Sequence, residues 1–291
     1  MLKIGDVKIG EGGRTKLVPK VLGIINASPE SFYKASVRTS DREIAAAARQ
    51  LQLDGAHIID IGAMSTAPYL ETVIPVEEEV RRMKMAVKAV KRACDLPVTA
   101  DTPRAAVAKE AIAAGADAIN DVTGLKHDRR MADVAAGAGV PVIIGAYSKA
   151  PATGRLAGTI KALKESLAIA RGAGIKKVIV DPSIGFFRKE GKHPFFTRMT
   201  DVPWYIRDIE VLNNLKKISS LGPVCVSVSR KSFIGHLFGI KGDERLVPSI
   251  VCEMVAVMNG AGVIRTHSVR ETVHALTMLQ LLNVRHNTKR L

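Results

Sequence analysis

The chain has 291 residues, 47% of them hydrophobic and 24% charged, which supplies a large core and excludes wholesale disorder. Lys and Arg number 43 against 28 Asp and Glu, and the formal net charge of +15 favours an anionic partner: nucleic acid, a membrane surface or a phosphorylated small molecule. Aromatic residues are only 4% and do not interleave with the basic ones, so no single-strand stacking platform is expected and a phosphate-bearing substrate is preferred.

In chain order, 6–9 and 16–18 around Glu11-Gly-Gly13 predict a hairpin that caps one end of the fold. An apolar run over 21–26 precedes a helical pattern over 42–54, and 57–62 precedes 76–93. The alternation continues with strand 98–101 and helix 104–114, strand 118–122 and helix 130–138, strand 141–146 and helix 159–172. It closes with strand 177–181 and helix 203–218, strand 224–228 and helix 245–259, strand 263–267 and helix 269–282. The strands are nearly continuously hydrophobic, as strands buried on both faces of a parallel sheet must be. Several helices end at a glycine, the residue that most readily takes the left-handed conformation that stops a helix.

Eight strand–helix units predict an α/β fold, a (β/α)8 TIM barrel with an N-terminal β-hairpin. A doubly wound open sheet competes, but it calls for G-x-G-x-x-G after the first strand, and here Asn26-Ala-Ser-Pro-Glu-Ser-Phe32 follows. No linker divides the chain, so the reading is one barrel over 21–291 with the hairpin, 1–20, packed on it. The apolar runs stop well short of the ~20 residues of a membrane span, and the N-terminus lacks a signal-peptide stretch. Three widely spaced cysteines without C-x-x-C argue against a disulfide framework or zinc knuckle, so a cytoplasmic protein with no membrane partner is expected.

Polar residues close seven of the eight predicted strands: Asn26, Asp60, Asp101, Asn120, Asp181, Arg230 with Lys231, and Arg265 with His267. Strands do stop where hydrophobicity stops, so any one of these residues is equally readable as a helix cap or turn. In a barrel, though, all such ends converge on the face that carries active sites. Asp101, Asn120 and Asp181 offer acceptors and a donor for a flat heterocycle with several N–H groups. The cations cluster at the last two strands, where barrels often bind phosphate. No zinc-ligand spacing, Ser-His-Asp order or paired glycosidase carboxylates are evident.

At these residues the sequence resembles the dihydropteroate synthases, from Val21 to about Leu282. Val21-Leu-Gly-Ile-Ile-Asn26-Ala-Ser-Pro29-Glu-Ser31-Phe32 is similar to the family's V-x-G-V-x-N-V-T-P-D-S-F, and Asp60-Ile-Gly62-Ala-Met-Ser65-Thr66-Ala67-Pro68 to D-I-G-G-E-S-T-R-P. Ala100-Asp101-Thr102, Ala118-Ile-Asn120-Asp121 and Asp181-Pro-Ser-Ile-Gly185-Phe186 resemble further strand ends. Ser229-Arg230-Lys231-Ser232-Phe233-Ile234-Gly235 matches S-R-K-S-F-[IL]-G without change, and Ile264-Arg265-Thr266-His267 resembles the terminal R-V-H.

The resemblance implies a barrel that joins a dihydropterin pyrophosphate to an arylamine, p-aminobenzoate, and releases pyrophosphate. Carried over by position, Asp101, Asn120, Asp181 and Lys231 hold the pterin, with Asp101 and Lys231 as the catalytic pair. Asn26, Arg265 and His267 hold the pyrophosphate, Asn26 through Mg2+. Thr66, Pro68 and Ser232 border the arylamine. No nucleic acid partner is implied, and a homodimer through the last helices is.

Four departures qualify the substrate. Ala67 stands where the family has an arginine that contacts pyrophosphate, leaving Arg188, Lys189 and Lys192 as candidate replacements. Tyr147 stands in place of a methionine segment, either stacking on the ring or packing structurally. Ser183 replaces glycine, and Ser268 follows the histidine where the family often has aspartate. The basic run over 188–192 suits a phosphorylated ribosyl-aminobenzene, as in tetrahydromethanopterin synthesis, or is a solvated segment. A pterin-dependent methyltransferase on the same barrel is the alternative from another reaction class, since it needs no pyrophosphate contact; a non-catalytic RNA-binding barrel is the third reading.

Overall fold

Leu22, Ile58, Ala118, Ile143, Ile179, Cys225 and Val263, one from each of seven strands, pack into a single buried layer closed from below by Ile4 and Ile9. That layer is the floor of a parallel barrel. The structure, a computed structural model, describes residues 2–10, 19–31 and 33–283.

The chain opens with an antiparallel hairpin of β1 (Leu2–Ile4) and β2 (Val7–Ile9). The barrel begins with β3 (Lys20–Asn26), α1 (Asp41–Leu53), β4 (Ile58–Gly62), α2 (Val76–Ala93), β5 (Val98–Asp101) and α3 (Ala105–Ala113). It continues through β6 (Ala118–Asp121), α4 (Arg130–Ala138), β7 (Val142–Gly145), α5 (Leu156–Gly172) and β8 (Val178–Asp181). A short parallel pair, β9 (Phe187–Arg188) and β10 (Thr197–Arg198), lies in the loop that follows. Then come α6 (Trp204–Asn213), α7 (Leu215–Ser219), β11 (Val224–Val226), α8 (Ser232–Phe238), α9 (Leu246–Met258), β12 (Ala261–Thr266) and α10 (Val269–Asn283). Eight strands close in the order β11-β12-β3-β4-β5-β6-β7-β8. The predicted (β/α)8 barrel with its hairpin is therefore present.

Strand periodicity determines what points inward. On β3, Leu22 joins the floor, and Ile24 and Asn26 line a cavity above it, while Ile25 faces the helices. β4, β6, β8 and β12 repeat this order, with Ile58, Ala118, Ile179 and Val263 at the bottom and Asp60, Asn120, Asp181 and Arg265 above them. Outside, Met83, Ala86, Val87 and Val90 of α2 recur at the spacing of one helical face and pack on the sheet. At the start of α1, Ser40 accepts from the Glu43 amide and Glu43 accepts from the Ser40 amide, a capping box.

Three local expectations change. The sequence pairs 6–9 with 16–18, but Val7–Ile9 pairs with Leu2–Ile4, and 16–18 lie outside the described residues. Gly5 makes that turn possible: its φ is +55°, and a Cβ there would lie 2.7 Å from Pro97. The single helix expected over 203–218 breaks at Asn214, whose side-chain amide donates to the Glu210 carbonyl (2.8 Å) and competes with helix continuation. An unpredicted helix, α8, follows Lys231 and stops at Gly239 in the left-handed conformation. Among the described residues, no helix is long and apolar enough to cross a membrane.

Candidate active site

Strand alternation sorts neighbouring polar residues into different jobs. On β6, Asn120 points into the barrel, while Asp121 is fully buried on the other face and accepts from the Thr123 and Leu125 amides at 2.8 Å. Asp121 therefore shapes the loop, and Asn120 faces the site.

Two connected spaces open above the floor, sharing Thr66, Asp101, Phe186, Lys231 and Arg265. The inner one, about 390 Å³, is lined by Asp101, Asn120 and Asp181 from three strand ends and by Lys231 from the loop between β11 and α8. The outer one, about 590 Å³, is lined by Asn26, Thr66, Pro68, Ser232, Arg265 and His267 among others. All ten predicted site residues thus reach one cleft. Ala67 also borders the outer space.

Asp60 is the residue whose role the sequence did not supply. Fully buried, it accepts from Arg265 Nε (2.6 Å), from the Thr99 hydroxyl and from Asn120 Nδ2 (3.3 Å). Arg265 Nη2 donates to Asp101 Oδ2 at 2.6 Å. The guanidinium thus bridges two carboxylates, and Asp60 pins Asn120 so that its carbonyl oxygen is available to a ligand. Read as an anion contact from the resemblance, Arg265 still lines the outer space but is also the counter-ion of the inner one. The signal for Asp60 was its place at a strand end.

Burial lifts the Asp101 carboxyl to about 7, with Arg265 pulling down and Asp60 pushing up. Burial and the Arg265 charge lower the Lys231 ammonium to about 8, against the opposing pull of Asp181 and Asp208. Lys231 Nζ lies 4.5 Å from the Phe186 ring centroid. Asp181 is also raised by burial, and its Oδ1 accepts from the Ser183 amide at 2.6 Å. Burial with three neighbouring cations holds His267 well below the ordinary histidine range, so it is neutral at pH 7.

Asn26 Nδ2 donates to Ser36 (2.6 Å), which turns Oδ1 toward Gly62 and the outer space. That oxygen is a hard donor of the kind Mg2+ accepts. Among the described residues no group of three or more His, Cys, Asp or Glu is placed to hold a metal. One protein oxygen beside an anion pocket fits an ion that keeps its waters and a substrate phosphate better than a closed protein cage.

The departures resolve unequally. Tyr147 is buried outside the cleft and donates to the Pro194 carbonyl (2.9 Å), so it packs structurally. Lys189 and Lys192 are exposed, whereas Arg188 turns inward and donates to Ser232. Ser268 accepts from Arg230, whose guanidinium lies 4.3 Å over the Tyr33 ring. Trp204, read from sequence as packing, presents its face to Arg188 at 3.5 Å.

Comparison with known proteins agrees with this geometry. The family described as pterin binding enzyme matches residues 22–267. A dihydropteroate synthase of Clostridium beijerinckii is 34% identical over 97% of this chain and 99% of its own length. That of Bacillus subtilis is 33% identical over 90% of this chain and 88% of its own. Among solved structures, the Xanthomonas albilineans dihydropteroate synthase with 4-aminobenzoic acid superposes with a TM-score of 0.79 at 32% identity, covering 91% of this chain and 93% of that one. The Coxiella burnetii enzyme in complex with pteroic acid gives a TM-score of 0.81 at 29% identity, covering 97% and 98%. With a pocket built from the ends of the barrel strands and relatives of this likeness along nearly its whole length, the chain belongs to the dihydropteroate synthase family of pterin-binding enzymes.

Proposed function

We propose that this protein joins a 7,8-dihydropterin-6-ylmethyl diphosphate to p-aminobenzoate, forming a C–N bond and releasing pyrophosphate in folate biosynthesis. The observation that carries the reading is the inner space, where two carboxylates and a carboxamide from three strands meet an ammonium from the loop after β11, a donor and acceptor set suited to a flat, nitrogen-rich ring. Asp101 and Asp181 accept ring N–H groups, Asn120 offers its carbonyl, and Lys231 donates to a ring acceptor.

As the C–O bond to the leaving group breaks, negative charge grows on the diphosphate and positive charge on the pterin methylene. Arg265, at the junction of the two spaces, and His267, on the outer one, donate toward the leaving oxygens. Ionised Asp101 stabilises the methylene cation, and the neutral arylamine attacks from the side of Thr66, Pro68 and Ser232. The extra proton on nitrogen then leaves to solvent. Mg2+ belongs to the same proposal: Asn26 would hold it with substrate phosphate and water, and when bound it supplies charge neutralisation on the leaving group.

The phosphorylated ribosyl arylamine is less well supported, because of the three added cations only Arg188 faces inward. The methyltransferase and RNA-binding readings yield to the run of synthase relatives. A cytoplasmic location is proposed on the free state of Cys94, Cys225 and Cys252. A homodimer is proposed on the apolar surface of α9 and α10, where Val247, Val251, Met258, Met278, Leu281 and Leu282 are exposed.

The test is to mix purified protein, Mg2+, dihydropterin diphosphate and a panel of arylamines and follow pyrophosphate release. Saturable turnover with p-aminobenzoate is expected. Binding of methylated reduced pterin without any pyrophosphate release would favour the methyltransferase, and salt-sensitive RNA binding alone would favour the third reading.

A further inference from the structure

The loop after β8 carries a buried cation for which the catalytic scheme has no use. Arg188 is 9% exposed, its guanidinium stacked 3.5 Å from the Trp204 ring centroid. Its Nε donates to the Gly185 carbonyl (3.0 Å), and its Nη2 donates to the Ser232 hydroxyl. Among the described residues it forms no ion pair. The nearby Asp208 directs Oδ1 at Arg207 (2.9 Å) and at the Gly185 amide (3.1 Å) instead. A guanidinium held away from water without a carboxylate of its own is costly unless a ligand supplies the anion.

Ser232 shows where that anion would sit. A hydroxyl has one proton and two lone pairs. Arg188 occupies one lone pair, so the Ser232 proton must be donated elsewhere, and Ser232 lines the outer space with Tyr69 and Lys231. The guanidinium therefore fixes Ser232 as a donor into the cleft and places a positive charge directly behind it. A charge-assisted arrangement of this kind discriminates an anion from a neutral isostere. Lys189 and Lys192 point to solvent, so of the three cations in this loop only Arg188 stands behind Ser232.

We propose that Arg188 is a positioning residue that makes this site selective for an arylamine bearing a carboxylate, by holding Ser232 as a donor toward that group. The inference rests on the synthase reading above. Trp204 supports it by holding the guanidinium plane in place.

The experiment compares KM for p-aminobenzoate with KM for 4-aminobenzamide, its uncharged analogue, in wild type and Arg188→Gln. The variant should raise KM for p-aminobenzoate about tenfold or more while changing KM for the amide, and for dihydropterin diphosphate, by less than about twofold. Adding Ser232→Ala to Arg188→Gln should cost little more, because the two act as one unit. An unchanged ratio of the two arylamine KM values in Arg188→Gln overturns the inference, as does an equal rise in both. Wild type that turns over neither arylamine would sink the synthase reading, and this inference with it. Should Arg188→Gln fail to fold, Trp204→Leu keeps the charge but removes its support. It should shift the same ratio in the same direction, and no shift there also overturns the inference.

Discussion

Arg265 sets the electrostatics of the inner space, because one guanidinium faces both Asp60 and Asp101 at 2.6 Å. It keeps two buried carboxylates compatible with one another, which is why Asp101 can be ionised near neutrality. Asp101→Asn keeps the shape and removes the charge, so turnover should fall at least about 100-fold while the circular dichroism spectrum is unchanged. Lys231→Ala should weaken dihydropterin diphosphate binding by about tenfold, measured by titration calorimetry; an unaltered affinity would leave the residue a structural one. The pH profile follows from the two shifts. With Asp101 ionising near 7 and Lys231 losing its proton near 8, kcat/KM should form a narrow bell between those limbs. A flat profile from about pH 6 to 9 contradicts both assignments. For stability the sign is separate. The folded state holds the Asp101 proton longer than the unfolded chain, so this group costs stability as pH rises from about 4 toward 7.

The loop after β8 stores strain at the level of a single element. Ser183 has a φ of +54°, and its hydroxyl is buried without a hydrogen bond. Arg207 holds the segment in place by donating to the Pro182 (2.6 Å) and Ser183 (3.1 Å) carbonyls. Ser183→Gly should therefore stabilise the protein by about 1 kcal/mol in denaturant titration, relieving the left-handed penalty and the unpaired hydroxyl together. The N-terminal hairpin is the second element with a measurable share. Ile4 is fully buried against the barrel floor, so Ile4→Ala should cost about 2–4 kcal/mol without touching the cleft. Both elements were only half legible from sequence. Glu11-Gly-Gly13 signalled a turn, but the one that pairs β1 with β2 is at Gly5, because register needs the partner strand, and the pairing of β9 with β10 spans a loop too short and irregular for any period to show.

At the scale of the whole molecule, the barrel puts all chemistry on one end and leaves the flank formed by α9 and α10 apolar and open. If that flank is the dimer surface, Val251→Lys should shift the protein from dimer to monomer in sedimentation experiments. A protein that is already monomeric before mutation contradicts the dimer. The barrel also explains why the site was largely readable in advance. Strand ends sit on one rim, so a polar residue closing a strand is already a placed residue. Asn26, Asp101, Asn120, Asp181 and Arg265 needed nothing more.

By itself, the sequence determined the alternation of strand and helix, the closure of those units into a barrel and the set of residues at its mouth. Hydrophobic period and chain order are local properties, and a closed parallel sheet converts them into position. Only the tertiary structure decided which of those residues pair. Arg265 meets Asp60 across 205 positions of sequence, and Arg188 meets Ser232 across 44. Such contacts depend on the order of strands around the ring and on where a loop folds back. No periodicity along the chain encodes the distance between two side chains that only closure brings together.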